Sequence, residues 1–329
     1  MLTAESREKF NSVLAKELDK ALTQKAVTGL FIDNVLQTKF IGAKTVLIPE
    51  VDMQALGNYN RDTGFVEGTV SISNTPYVLS MDRGRSFQID REDADESGIP
   101  ELMSKVSSEF VRTKVIPELD AYALSKLAQL ALTNTAITGD PTTDALKMLQ
   151  DAIIKAQEAA GFDEELVAFV DPVFFAALQS TPEITRHLSV GEFKKGEITT
   201  KVTMYNGVPI LPVQSGRMKT AYVFNDGTTE GQEAGGFTPA ADAKSIGLMV
   251  LPKKAASLVK KTEKIRSFTP QQNLKADAWK TDYRVYYDLF TKKSYDGTVF
   301  AYTYEPPAAG ESEGTTEPPA AGESEGTTD

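Results

Sequence analysis

The chain has 329 residues, 41% of them hydrophobic, which is enough apolar content to bury a sizeable core spread over two lobes with extensions. It has no cysteine and one histidine, so disulfides, thiol nucleophiles and Cys/His zinc sites are excluded by inventory. The net charge of -11 is concentrated at one end: the last 25 residues hold six Glu and one Asp with no Lys or Arg, which leaves 39 acidic against 35 basic residues in the body and gives little support to duplex binding by phosphate neutralisation.

The first segment, "MLTAESREKFNSVLAKELDKALTQKA", is charged, with Phe10, Val13, Leu14 and Leu18 at loose helical spacing. It reads as an arm that needs a surface to lie against, not as a signal peptide. No run of about 18 apolar residues is present, so synthesis in a cytoplasm is expected. "AKTVLIPEVDM" (43 to 53) is strand-like, and "QALGNYNRDTG" (54 to 64) is rich in turn residues.

"TGFVEGTVSISNTPYVLSMDRGRSFQID" (63 to 90) alternates apolar and polar residues with period 2. Val66, Val70 and Ile72 mark an outgoing strand, "SNTP" (73 to 76) supplies turn chemistry, and Tyr77, Leu79, Met81, Phe87 and Ile89 mark one face of a return strand. An isolated hairpin is marginal in water, so its apolar face calls for a partner. Arg83 and Arg85 fall on that same face, an odd place for charge unless it meets carboxylates.

Leu102, Val106, Phe110, Leu119, Ala123, Leu127 and Leu130 predict a helix of about eight turns over 101 to 131, kinked or interrupted at Pro117. "DPTTDALKMLQDAIIKAQEAAGF" (140 to 162) is a second helix stopped at Gly161, and "LVAFVDPVFFAALQSTP" is a buried strand followed by a short helix with an Asp-Pro start. "MYNGVPILPV" and "TAYVFN" read as strands, "EGQEAGGFTPAADAKS" (230 to 245) as a Gly-rich loop. The segment 277 to 304 reads as alternating closing strands around Asp296-Gly297. Helices and strands follow no β-α-β rhythm, so the fold class is α+β. The tail repeats "EPPAAGESEGTT" twice, at 305 to 316 and 317 to 328, a composition that cannot offset the entropy of ordering.

Chemistry is scarce. His187 has no Gly-x-Ser-x-Gly partner and reads as an ordinary surface or hydrogen-bonded histidine. No P-loop or dinucleotide fingerprint is present. "DREDADES" (90 to 97) lacks the spacing and glycine of a calcium loop and reads as a charged turn. Six basic residues between Lys253 and Arg266 have no interleaved stacking aromatics, and read as a solvated or intersubunit strand face.

The order of parts resembles the major capsid protein of tailed double-stranded-DNA phages, with the Hong Kong 97-type fold. "NYNRDTGFVEGTVSISNTPYVLSMDRGRSFQID" looks like that family's extended loop, and 101 to 131 like its spine helix. "LVAFVDPVFFAALQSTPEITRHL" followed by "MYNGVPILPV" is similar to its apical domain, and "FTPQQNLKADAWKTDYRVYYDLFTKKSYDGTVFAYT" to the closing strands of its peripheral domain.

The resemblance implies an N-terminal arm over 1 to 44, an extended loop over 45 to 97, and a peripheral domain with its spine helix over 98 to 140. An apical domain over 141 to 255, return strands over 256 to 304 and a disordered acidic tail complete the division. It further implies that the extended loop crosses a neighbouring subunit, with Arg61, Glu67, Tyr77, Leu79, Met81, Arg83, Arg85 and Phe87 at the intersubunit contact. Hexamers and pentamers in a virion shell enclosing double-stranded DNA without sequence-specific binding are expected, as are a separate scaffolding protein, a portal protein and a cement or decoration protein. No cofactor, metal, membrane or enzymatic activity is expected. No lysine lies between Lys44 and Lys105, so the loop-borne isopeptide cross-link of some relatives is not expected. With the ribbon starting this early in the sequence, the fused scaffolding domain that some relatives carry is not expected. The rival readings are an encapsulin-type shell, a soluble oligomeric binding module with an acidic tether, and an enzyme.

Overall fold

In the computed structural model, which describes residues 13–14, 25–32, 39–42, 44–92, 99–134, 136–181, 188–195, 198–262 and 265–305, the alternating N-terminal third is shared between two different sheets. Strands β1 (Lys39–Ile41), β2 (Thr45–Met53) and β3 (Val70–Val78) form one antiparallel sheet in that order. The next strand, β4 (Met81–Asp90), leaves it. Expected as the return strand against 66 to 72, β4 pairs instead with residues 278–287 near the chain's end, Met81 facing Tyr287 and Asp90 facing Ala278.

The expected turn at 73 to 76 is therefore a strand interior. Leu47 faces Pro76 and Pro49 faces Asn74 in the β2–β3 ladder. Pro76 is tolerated because β3 is the edge of its sheet, where a missing N–H need not leave a ladder bond unmade. The real hairpin turn is the long segment 54–69.

The long helix is α1 (Ile99–Phe110) and α2 (Ile116–Asn134), joined by a π-helical turn at Val111–Val115. Ile116 N–H bonds to Val111 O, and Pro117, which has no N–H to give, follows at once. The extra residue of the π-turn absorbs the proline without breaking the helix axis, so the interruption expected at Pro117 begins six residues earlier.

The second lobe contains β5 (Ala136–Ile137), α3 (Pro141–Ala160), β6 (Leu166–Val170), α4 (Pro172–Ser180), β7 (Leu188–Lys195), β8 (Ile198–Tyr205) and β9 (Val208–Pro212). β10 (Tyr222–Phe224) and β11 (Phe237–Pro239) make a small ribbon, followed by β12 (Ser245–Pro252). β13 (Ala256–Thr262), β14 (Arg266–Phe268), β15 (Ala278–Thr291) and β16 (Phe300–Tyr304) close the fold. Asp171 caps α4 by accepting from Phe174 N at 2.7 Å, as its Asp-Pro start requires. Asn206 and Gly207, both at positive φ, make the tight turn between β8 and β9.

Seven strands run β5-β16-β12-β6-β9-β8-β7, with β6 and β9 parallel. Its central strands are buried on both faces, and the parity of each side chain decides its neighbours. Ala168, Val170, Leu248 and Val250 pack with Leu149, Ala152 and Phe174 of α3 and α4. Val167, Phe169, Met249 and Leu251 pack with Leu124, Leu127 and Ala131 of α2. The same α2 cluster takes Tyr283, Val285, Tyr287 and Leu289 from one face of β15. Thus α2 is wedged between the two sheets, and the fold is α+β as expected.

The expected N-terminal arm lies mostly outside the described residues, as do His187, part of the acidic run at 90 to 97, and residues 306–329. Within the arm, Leu30 and Phe31 are buried against α2, and Asp120, fully buried, receives Val27 N, Thr28 N and the Thr28 hydroxyl.

Candidate assembly interface

The β2–β3 hairpin has two unlike faces. Cross-strand register puts Val46 with Tyr77 and Ile48 with Thr75 on one side, and Leu47, Met53, Val70, Ile72, Pro76 and Val78 on the other. On the first side the root is anchored: Val46 and Leu79 are buried with Val259, Tyr286 and Phe290, and the Tyr77 ring lies 5.0 Å from that of Phe290. Polar contacts reinforce the anchor. Asp82 accepts two hydrogen bonds from Arg284 at 2.8 Å each and a 2.8 Å ion pair from Lys44, and Lys261 reaches Gly42 O at 3.0 Å. The Arg284 guanidinium, helped by Lys44, holds the Asp82 carboxyl down at about 2.

The other side has no such cover. Of the nineteen large apolar side chains exposed among the described residues, eight fall in this hairpin and two more, Phe40 and Ile41, on the neighbouring β1, so exposure is concentrated here. Met53, Val70, Ile72 and Val78 form its stripe, each more than 60% exposed.

The tip is ordered by its own bonds. Asn60 and Gly64 exchange backbone hydrogen bonds of 3.2 and 2.8 Å, Asp62 N donates to Asn60 Oδ1 at 2.8 Å, and Gly64 adopts φ +81°, which suits a residue without Cβ. This closure brings the Tyr59 and Phe65 rings to 4.9 Å, and with Leu56 and Val66 they stand in solvent. Arg61 and Glu67, both expected at an intersubunit contact, lie exposed in this tip.

The remaining expected contact residues sit elsewhere. Tyr77 and Leu79 belong to the root, and Met81, Arg83, Arg85 and Phe87 line one face of β4 on the body, with Arg85 exposed and the other three half-buried. Arg83 was expected to await a carboxylate from a neighbour; it finds one in its own chain. Its Nε and Nη2 grip both oxygens of Glu118 on α2 at 2.7 and 3.2 Å, and its guanidinium also donates to Asn225 O and Gly236 O. The pair is largely buried, at 20% and 13% side-chain exposure. Burial opposes the charge on Arg83, yet the bond and charge of Glu118 outweigh it and raise its pKa. Phe87 packs edge-on to Phe110, rings 4.7 Å apart. The expected ribbon parts at one junction: alternation continues in phase through Leu79 and Ser80, while Leu79 N bonds Lys44 O of the first sheet and Ser80 N bonds the Asp288 carboxylate of the second.

A second buried polar knot, which spacing alone did not reveal, joins the same elements. Asp288 on β15 accepts from Tyr122 and Lys126 on α2. Burial raises its pKa, and Lys126 and Tyr122 more than reverse this, so the carboxyl titrates below its ordinary value.

Among the described residues no cluster of three His, Cys, Asp or Glu could hold a metal, and no helix is long and apolar enough to cross a membrane.

No protein-family model and no curated protein matches the chain. Solved structures do match. The capsid of Ralstonia phage GP4 aligns over 82% of this chain and 85% of its own, at 9% identity and a TM-score of 0.51. The capsid of Cyanophage P-SCSP1u aligns over 80% of this chain and 84% of its own, at 14% identity and a TM-score of 0.50. With so little identity, what is shared is the backbone path: the chain has the fold of the subunits of these phage capsids.

Proposed function

We propose that this chain is the major capsid protein of a tailed bacteriophage, self-assembling into the icosahedral head shell that encloses packaged double-stranded DNA. The observation that carries the proposal is the projecting hairpin. It is anchored at its root, ordered at its tip, and apolar along a face that stays exposed among the described residues. A second copy is the partner that every subunit of a homo-oligomer has at hand, and repeated docking of one arm onto the next subunit generates rings that close into hexamers and pentamers. The fold shared with phage capsids supports the same reading. The near balance of charge in the body suits a wall that leaves DNA mobile.

In this reading Arg61 and Glu67 meet the neighbouring subunit at the tip, and Met53, Val70, Ile72 and Val78 along the arm. A separate scaffolding protein, a portal protein and a cement or decoration protein complete the particle, which assembles in the host cytoplasm and ends in the virion. The role is structural, not enzymatic.

The test is to express the full chain, alone and with scaffolding proteins encoded beside it, and to examine the products by sedimentation and negative-stain microscopy. Rings of five or six subunits or closed shells are the expected outcome. A monomer or dimer under every condition would overturn the proposal.

A further inference from the structure

A cleft of about 490 Å³ lies between β4, the π-turn and the loop that joins β10 to β11, and no contact described above fills it. This is within the usual range for a ligand-sized site. One wall is aromatic: Phe87, Phe110 and Tyr283 meet edge to face, with ring centroids 4.7 and 5.8 Å apart. Gly84 lets the wall form, since a Cβ there would sit 2.8 Å from Tyr283 O of the paired strand.

The charges of the cleft are unevenly satisfied. Arg83 is saturated by Glu118, and the Asp226 carboxylate is taken by Thr228 and Thr229. Arg85 reaches only a backbone carbonyl, Glu233 O, at 3.3 Å, and among the described residues neither Arg85 nor Lys114 meets a carboxylate. An aromatic wall with two uncompensated cations fits an extended proline segment flanked by acids.

The chain carries such a segment twice, "EPPAAGE" at 305 to 311 and again at 317 to 323. In the first copy the leading glutamate, Glu305, already meets a lysine, Lys244, at 3.0 Å. The second copy follows on a tether: Glu317 lies 12 residues beyond Glu305, a span of up to about 40 Å when extended, which is about twice the roughly 19 Å radius of gyration of a folded body of this size.

We propose that the second repeat docks in this cleft, with Pro318 and Pro319 on Phe87 and Phe110 and with Glu317 and Glu323 at Arg85 and Lys114. Tethering supplies an effective concentration of about a millimolar, so a weak contact is enough to populate the docked state. The proposal stands apart from the shell reading, because one subunit holds both halves.

The absence of cysteine gives a direct test. A fluorophore on Ala321→Cys in the full-length chain should be immobilised, with high steady-state anisotropy. In the Arg85→Glu/Lys114→Glu background the anisotropy should fall to that of the same label on a free repeat peptide, and adding Glu317→Lys/Glu323→Lys should restore it. Should the charge reversal impair folding, the tail variant Pro318→Ala/Pro319→Ala/Glu317→Gln/Glu323→Gln leaves the body untouched and should free the label equally. A label as mobile in the parent as in the variants overturns the proposal. So does a label held only in assembled particles and indifferent to the cleft charges, the pattern expected if a neighbour's hairpin fills the cleft. Sedimentation reads assembly separately: a chain that never assembles but holds its label sinks the shell reading and keeps this one.

Discussion

Arg83 shows how much one side chain can organise. It is a strand residue that ties α2 to both ends of the loop between β10 and β11, with Tyr287 adding a 3.0 Å bond to the same Glu118 oxygen. Arg83→Met should keep the stem packed but leave Glu118 largely buried and short of its partner. The expected loss is about 2–4 kcal/mol in denaturant unfolding, toward the lower side of a fully buried pair because some solvent reaches it. Asp82 gives the pH-dependent counterpart. Its carboxyl titrates at about 2 in the folded chain and near 3.8 when free, so its ion pairs stabilise the fold fully above pH 4. That contribution drains away as pH falls from 4 to 2. Asp82→Asn should therefore cost about 1 kcal/mol at pH 6, screened by solvent, and only a small part of that at pH 2. Parallel unfolding curves at the two values check this; an equal deficit at both would contradict it.

Among the elements, the hairpin owes its direction to its root. Leu79 is 2% exposed and sits where the chain passes from one sheet to the other. Leu79→Ala should cost about 3 kcal/mol and loosen the arm, read as faster amide exchange over 45–53 and 70–78 with little change in β12. This junction also marks where sequence reading reached its limit. The period-2 pattern through Tyr77, Leu79, Met81 and Phe87 correctly announced strands with one apolar face. The change of partner at Leu79–Ser80 leaves the alternation in phase, so no periodicity could report it. "SNTP" had turn chemistry but an edge-strand fate, because what tolerates Pro76 is the empty side of β3, a tertiary fact. Pro117 announced a break in the helix but not its form, an added residue in a π-turn. The charge on the apolar face of β4 was read as a demand for carboxylates, which holds for Arg83 and not, among the described residues, for Arg85. That Glu118 of the same chain meets it depends on α2 lying across β4, which no local pattern encodes. The buried Asp120 was invisible for the same reason, since Thr28 lies 92 residues away in sequence.

For the molecule as a whole, the decisive asymmetry among the described residues is between a body whose apolar faces are covered on both sides of each central strand and an arm whose stripe is covered on one side only. A face with no contact in its own chain contributes nothing to the stability of the isolated subunit, so polar substitution there should be nearly silent in a monomer. The same face contributes directly to any assembly that buries it. Val70→Glu with Ile72→Glu should accordingly shift subunit stability by no more than about 0.5 kcal/mol. Assembly should suffer far more, because two desolvated carboxylates would lie in an apolar contact repeated at every subunit. Calorimetry on the dissociated chain and sedimentation velocity under assembly conditions separate the two effects. The expected pair of results is an unchanged melting profile and a threshold concentration for assembly raised at least tenfold. If the variant assembles like the parent, the arm is not the contact that builds the particle. If it melts early, the stripe is covered within the subunit and the argument from its exposure falls.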